Sequence, residues 1–313
     1  MNKRKVVIVG AGMVGASYGY SLANQDLVNE LVFIDVNNDA AQAQADDIIH
    51  GTAFLPNQPK IYAGEYSDCA DADIICITAG AAQKPGQTRL DLVKINTNIM
   101  KSIIGEIKKT AFDGFLLIAS NPVDIMAYVA QKESGYPVHK VLGSGTTLDT
   151  ARLRVNLATY LDCNPTNVHA YIIGEHGDSS LPVWSTATIG QKPLLDIIEQ
   201  SNGKFTMEGI NKCFEEARDA AYGIIKGKGA TYFGIGVSLA RITKAIFGNQ
   251  NVILTCSTLL NGEYGVDDIY IPVPVVVGGQ GVKEIQSLEI STTEQKDFEA
   301  SVNALKNIIK SLD

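Results

Sequence analysis

A glycine-rich turn directly after the first apolar segment constrains the fold of this chain most strongly. Residues 5–9 read Lys-Val-Val-Ile-Val, a run typical of a buried parallel strand, and Gly10, Gly12 and Gly15 follow at once. The segment that contains Met13 and Val14 then continues with the apolar spacing of a helix. Such a turn between strand and helix permits the close approach of a pyrophosphate, whose charge the helix N-terminus favours.

Strand-like and helical segments alternate after this turn. Buried strands are predicted at 31–34, 73–77 and 115–118, with a long helix between the last two. Alternation over about 140 residues predicts a doubly wound parallel sheet of the Rossmann type, within an α/β fold class. The pattern changes after residue 143, which predicts two domains, 1–143 for the nucleotide and 144–313 as a second α+β catalytic domain.

The second domain is predicted to mix long helices with a few strands. A capping box, Ser291 with Glu294, opens a final helix. The other segments are helices near 146–160, 206–225 and 230–246, and strands at 168–173 and near 252–260 and 269–277.

An acidic residue at the end of the second strand predicts the cofactor. Asp35 follows Gly15 by twenty residues, the spacing at which a carboxylate accepts hydrogen bonds from ribose hydroxyls. The same carboxylate repels a 2′-phosphate, so NAD is expected rather than NADP. A flavin or S-adenosylmethionine pocket uses the same loop geometry and stays open at this point. Asp35 could also do no more than cap a turn.

Composition narrows the classes of partner. The net charge of −8 argues against nucleic acid, and no apolar run approaches the length of a membrane span. A basic start followed by apolar residues imitates a secretion signal, but its glycines fit a phosphate loop better. The five cysteines are scattered, odd in number and form no CxxC pair, which favours a reducing cytoplasm and no metal site.

A histidine between two carboxylates indicates chemistry. Residues 173–178 read Ile-Gly-Glu-His-Gly-Asp and place His176, one of only four histidines, in a polar turn. Imidazole is the side chain whose ordinary proton affinity suits proton exchange near neutral pH. A capped turn with a surface histidine is the alternative.

Three further segments carry candidate site residues. The polar stretch 83–89 reads as a loop, Asn121 ends a sheet strand, and Asp149 and Arg152 share one face of a helix. Each has a plainer reading: a surface loop tip, a helix cap and an intrahelical salt bridge. On the functional reading, Asp149 reaches His176 and Arg152 binds a carboxylate.

Taken in order, these motifs resemble the lactate/malate dehydrogenase family, and within it the bacterial L-lactate dehydrogenases. The resemblance runs from the glycine loop through 83–89, 120–122, 148–152 and 173–178 to 228–231.

The resemblance implies a set of roles for the reaction. It implies that His176 is the acid and base, that Asp149 fixes its tautomer, and that Arg152 binds the substrate carboxylate. Arg89 would polarise the carbonyl. The remaining implied contacts are Gln83, Asn121 and Thr231 to the substrate, and Gly10, Gly12, Met13, Val14, Gly15, Asp35, Tyr66, Gly80, Ala81, Asn121, Ser144 and Ile235 to NAD.

Gln83 bears on the choice of substrate. Malate dehydrogenases of the family carry arginine at this place for a second carboxylate, and a neutral glutamine would leave that charge uncompensated in a closed pocket. Pyruvate and lactate are therefore the expected substrates. The alternatives are a dehydrogenase for bulkier 2-oxo acids, a malate dehydrogenase and a non-catalytic nucleotide-binding protein.

The resemblance also implies regulation. In members activated by fructose 1,6-bisphosphate, an arginine and a histidine stand at the places of Arg154 and His169, paired across a subunit interface. A homotetramer with that activator is expected. Because residues two apart on a helix differ by about 200°, Arg154 should point away from Arg152. Two solvated surface residues are the alternative.

Overall fold

A computed structural model describes residues 4–81 and 89–312. Its strands are β1 Lys5–Val9, β2 Glu30–Ile34, β3 Lys60–Ala63, β4 Ile74–Ile77, β5 Phe115–Ile118, β6 Val141–Gly143, β7 Val168–His169, β8 Ile172–Ile173, β9 Leu181–Pro182, β10 Thr188–Ile189, β11 Lys192–Pro193, β12 Val252–Asn261, β13 Asp267–Gly278 and β14 Gly281–Ile285. Its helices are α1 Met13–Asn24, α2 Asn38–Gly51, α3 Arg89–Ile107, α4 Val123–Ser134, α5 Thr147–Leu161, α6 Leu194–Gln200, α7 Met207–Lys228, α8 Phe233–Phe247 and α9 Thr292–Ile309.

One nine-stranded sheet organises the molecule. Six parallel strands lie in the order β3-β2-β1-β4-β5-β6, which is the doubly wound order with its reversal between β1 and β4. β1, β4 and β5 are apolar and buried along almost their whole length, as a parallel sheet covered by helices requires.

The second half of the chain extends the same sheet. β12 pairs antiparallel with β6 at Ser257 and Gly143, and β13 and β14 follow as a meander. The main apolar core accordingly runs across position 143, while a smaller cluster around Leu153, Trp184 and Ile210 lies under α5 and α7. The two predicted segments therefore share a sheet and a core.

Most predicted elements form where the periodicity placed them. The final helix begins with the predicted capping box, in which Ser291 accepts from the Glu294 N–H at 3.3 Å. The predicted strand at 168–173 differs: it is two short strands in two different sheets, β7 and β8, interrupted at Ala170 and Tyr171. Within the described ranges, no helix is long and apolar enough to cross a membrane.

Candidate active site

The predicted nucleotide-binding residues of the first half gather at one edge of the sheet. Gly10 follows β1, Asp35 follows β2, Ala81 lies in the segment after β4, Asn121 follows β5 and Ser144 follows β6. These are the carboxyl ends of the parallel strands, where open α/β sheets bind their ligands.

Each glycine of the first turn meets a different steric need. Gly10 has φ +111°, and a Cβ there would lie 2.5 Å from the backbone nitrogen of Ala79. A Cβ on Gly15 would collide with the carbonyl oxygen of Gly10, so α1 packs closely on the strand. A Cβ on Gly12 would meet nothing within 4 Å, which leaves open space in front of the first turn of α1. This space and the unpaired N–H groups of a helix start suit a pyrophosphate.

Met13 and Val14 form that first turn, and Ile235 lies on the helix packed against it. Met13 is exposed, whereas Val14 and Ile235 are partly buried against the core. α8 approaches α1 closely because Gly236 leaves room for Ser17.

Asp35 holds the glycine turn from the neighbouring strand end. Its Oδ2 accepts the Ala11 N–H at 2.7 Å, and its Oδ1 accepts the Asn37 N–H at 2.9 Å. The turn-capping alternative is thus present, yet each carboxylate oxygen has a second lone pair for a ribose hydroxyl. Tyr66 is close by: burial, with the neighbouring Cys69, Glu106 and Asp35, raises the pKa of its phenol to about 12.

Asn96 connects two of the ligand-binding segments, and sequence reasoning missed it. Its buried amide accepts the Ala81 N–H at 2.8 Å and donates to the Asn121 carbonyl at 2.8 Å. Gly80 is exposed above the same amide. A polar residue at a buried position of a helix was the available signal, because it requires hydrogen-bond partners.

Asn121 lies at the end of β5 in a cis peptide bond with Pro122. The N-cap of α4 is Pro122, with no side-chain capping bond, so the reading of Asn121 as a helix cap is wrong. Its side chain is exposed at the carboxyl edge of the sheet. Ser144, at the next strand end, is buried and donates its N–H to the Ile118 carbonyl at 2.8 Å.

The histidine and the aspartate predicted to act together are in contact. His176 Nδ1 lies 2.6 Å from Asp149 Oδ2, and the Asp149 side chain is 8% exposed against 32% for His176. The histidine segment is fastened from behind, since Gly174 with φ +84° packs on Ser301 of α9 and the Glu175 N–H donates to Ser301 Oγ at 2.7 Å. The surface-histidine alternative does not describe this arrangement.

The contact with Asp149 favours the protonated form of His176. Burial acts to lower the pKa of His176, but the charge and hydrogen bond of Asp149, with a smaller effect of Asp124, raise it to about 9. Burial acts to raise the pKa of Asp149, but the His176 imidazolium and the Arg152 guanidinium hold it below its usual value. At neutral pH the ring is therefore an imidazolium facing a carboxylate, which can give up a proton.

Arg152 and Thr231 face a common cavity. Arg152 Nη1 donates to Asp149 Oδ1 at 3.0 Å, so the intrahelical salt bridge exists together with the contact between Asp149 and His176. The cavity, of about 570 Å³, is lined by Leu148, Arg152, Ile224, Gly227, Lys228, Thr231, Tyr232, Phe233 and Gly234. A cavity of about 590 Å³ lies at the amino ends of the strands, around Arg4 and Asp73, far along the strands from these residues.

Arg154 has different partners from Arg152. Its Nε donates to the Ala170 carbonyl at 3.2 Å, and its guanidinium lies 5.3 Å from the centre of the Tyr171 ring. His169, the residue before Ala170, is exposed on β7. The guanidinium is thus anchored beside the strand that carries the histidine.

The predicted contacts of two substrate residues lie outside the described part of the chain. Gln83 lies outside the described residues. Arg89 is the first residue of α3, and the contacts expected of its guanidinium also lie outside the description.

The fold and this edge of the sheet define a nucleotide-dependent enzyme with a carboxylate–imidazole pair, and sequence comparison identifies its family. The NAD-binding domain of lactate/malate dehydrogenases matches residues 4–143, and the alpha/beta C-terminal domain of the same family matches residues 146–313. The chain belongs to the lactate/malate dehydrogenase family. The predicted family, fold class and NAD cofactor are confirmed.

Similar proteins cover almost the whole chain. L-lactate dehydrogenase 2 of Peribacillus psychrosaccharolyticus is 53% identical over 98% of this chain and 96% of its own. L-lactate dehydrogenase of Bacillus velezensis is 51% identical over 99% of this chain and 98% of the relative's own length. The ligands-bound form of the minor L-lactate dehydrogenase from Enterococcus mundtii superposes with a TM-score of 0.98 at 45% identity, covering 100% and 99%. The ligands-unbound form gives 0.92 at 44% identity, covering 100% and 98%.

Proposed function

We propose that this chain is an NAD-dependent L-lactate dehydrogenase, which interconverts pyruvate, NADH and a proton with (S)-lactate and NAD⁺. The observation that carries the proposal is the 2.6 Å contact between His176 and Asp149, with Arg152 on the same carboxylate. The backbone N–H of His176 also donates to Asp124, which lies three positions after Asn121 in the chain, and this contact supports a site at the carboxyl edge of the sheet. The names of the relatives support the same activity.

His176 supplies the proton. Bound NADH would supply the hydride to the carbonyl carbon. The Nδ1–H of the imidazolium is held by Asp149, which leaves Nε2–H to protonate the ketone oxygen. In the reverse direction the neutral ring accepts the hydroxyl proton at Nε2, and Asp149 stabilises the imidazolium that forms.

Arg152 and Thr231 bind the substrate. Only one guanidinium nitrogen contacts Asp149, so the remaining N–H groups of Arg152 can hold the substrate carboxylate by two parallel bonds. Thr231 borders the side chain of the acid in the same cavity. By sequence, Arg89 polarises the carbonyl and Asn121 orients it.

The cofactor residues follow from their places at the sheet edge. Gly10, Gly12 and Gly15 with the first turn at Met13 and Val14 would hold the pyrophosphate. The other contacts would be Asp35 and Tyr66 to the adenosine, and Gly80, Ala81, Asn121, Ser144 and Ile235 to the nicotinamide half.

Gln83 makes pyruvate the preferred acid over oxaloacetate, because its neutral amide would leave the second carboxylate of oxaloacetate without a counter-charge. A specific observation favours a second candidate: Leu148, Ile224 and Phe233 give the cavity apolar walls, which would suit a bulkier 2-oxo acid. The experiment compares kcat/KM for pyruvate, oxaloacetate and 2-oxoisocaproate with NADH. Pyruvate fastest supports the proposal; 2-oxoisocaproate fastest supports the second candidate; no turnover of any acid contradicts both.

The proposal extends to regulation and assembly. Arg154 and His169 would bind fructose 1,6-bisphosphate between subunits of a homotetramer, and the anchored guanidinium beside β7 supports this reading. A bisphosphate would bridge cations that repel each other, so it would favour the form in which Arg152 is well placed and lower the KM for pyruvate.

The regulatory experiment is a pyruvate titration at slightly acidic pH, with and without millimolar activator, beside sedimentation of the protein. Arg154→Gln or His169→Ala should abolish the response and leave turnover at saturating pyruvate unchanged. Superimposable curves for the unaltered enzyme would contradict the switch. We also propose two domains, residues 1–143 for NAD and residues 144–313 for the substrate, and a cytoplasmic location.

A further inference from the structure

A second carboxylate is buried directly behind the histidine. Asp124 stands in the first turn of α4 and is 2% exposed. One of its oxygens accepts the backbone N–H of His176 at 2.8 Å, and the other accepts the hydroxyl of Ser257 on β12. The proposed function gives this carboxylate no task.

The surroundings of Asp124 offer it little charge compensation. Its two hydrogen-bond donors, the His176 N–H and the Ser257 hydroxyl, are neutral. Burial raises the pKa of Asp124 to about 6; the bonds from Ser257 and His176 and the imidazolium act to lower it, and Glu175 acts to raise it. Above neutral pH, Asp124 is therefore an anion that favours the charged form of the His176 ring.

The charged groups around the imidazole come from three segments. Asp149 and Arg152 face it from α5, Asp124 from α4, and Glu175 belongs to its own loop. From β12 comes the neutral Ser257. The negative charges of Asp149 and Asp124 both favour the charged form of the ring, whereas Arg152 opposes it.

We propose that Asp124 is a positioning residue: it fixes the backbone of His176 and adds a second negative charge, besides that of Asp149, near the imidazole. The consequence for turnover rests on the proposed function. The effect on the imidazole does not, because it requires only the folded protein.

The structure provides an isosteric test. In Asp124→Asn, the amide oxygen can accept the His176 N–H and the amide NH₂ can donate to Ser257 Oγ, so the contacts remain and the charge is lost. Ser257→Ala is the matched control, since it removes a hydrogen bond to the same carboxylate but keeps its charge. A structural role alone would make the two variants alike.

The measurement is an NMR titration of imidazole-labelled protein without ligands. There are four histidines, and the spectrum of His176→Asn assigns the resonance of interest. Asp124→Asn should lower the proton affinity of His176 by about three- to tenfold, and Ser257→Ala should change it by less than about twofold. The alkaline limb of kcat/KM for pyruvate reduction should move with it.

An unchanged His176 titration in folded Asp124→Asn would overturn the inference. If that variant does not fold, Asp124→Ser, neutral and small, carries the same expectation. If the titration moves but no 2-oxo acid is reduced, the inference survives and the proposed function fails.

Discussion

Replacing Asp149 by asparagine should convert His176 from a proton donor into a nearly neutral ring. The amide oxygen introduced by Asp149→Asn can still accept the Nδ1–H, so the ring keeps its orientation and loses its counter-charge. Burial and the Arg152 guanidinium, which lower the pKa of His176, are then opposed only by the smaller effect of Asp124. The pKa should fall below the ordinary value of about 6.5.

The magnitude follows from this gap. A pKa about 2.5 above the ordinary value corresponds to about 3.4 kcal/mol. At pH 7.5, a fall of the His176 pKa from about 9 to about 6.5 lowers the imidazolium fraction from about 97% to about 10%. Asp149→Asn should therefore lower kcat/KM for pyruvate reduction at least ~10-fold at this pH.

The assay is the pH dependence of kcat/KM for pyruvate at saturating NADH. Reduction needs the imidazolium, and the pKa of His176 is about 9. The kcat/KM of the unaltered enzyme should therefore stay constant at pH values below this pKa and fall at pH values above it. The inflection of Asp149→Asn should lie below about 6.5. Asp178→Asn is the matched control, because that carboxylate is exposed and two residues from His176. Equal inflections in the unaltered enzyme and Asp149→Asn would refute the reasoning.

The remaining predictions concern direction, substrate and cofactor. Lactate oxidation needs the neutral ring, so its kcat/KM should rise through the same pKa near 9; parallel profiles in both directions would count against a shared group. Gln83→Arg should move preference from pyruvate toward oxaloacetate by at least ~100-fold, measured as the ratio of kcat/KM values; a ratio within about threefold of the unaltered enzyme would remove Gln83 from the pocket. Asp35→Ser should narrow the preference for NADH over NADPH, mainly through KM, and equal use of both by the unaltered enzyme would contradict the ribose assignment. The same variant should lower Tm, because the Ala11 N–H loses its acceptor.

Periodicity and turn chemistry predicted β1, β2, β4 and β5, because these strands are buried along almost their whole length and each ends in a polar or glycine-rich turn. They did not predict the part-exposed β3 or the three-residue β6. The strand at 168–173 was harder, since an apolar run does not reveal that its middle turns between two sheets. The union of the two halves through Ser257 and Gly143 also lay beyond the sequence, because antiparallel pairing at a single residue leaves no periodic signal.

The site divides in the same way. The pair of His176 and Asp149 was predictable because motifs place both residue types in order along the chain. Asn96 and Asp124 were not, since an amide in a helix and a carboxylate in a first helical turn each have a common local explanation. Only the tertiary contacts show that Asn96 joins Ala81 to Asn121. They also show that Asp124 accepts the backbone N–H of His176.

The most direct test of the central claim is NADH oxidation by the purified protein on addition of pyruvate, run beside His176→Asn at equal NADH occupancy measured by fluorescence. The unaltered protein should oxidise NADH and form (S)-lactate, and His176→Asn should bind NADH nearly as well while losing most turnover, because the cofactor binds before the proton is needed. Retention of a tenth of the unaltered kcat by His176→Asn, or no oxidation by the unaltered protein, would contradict the account.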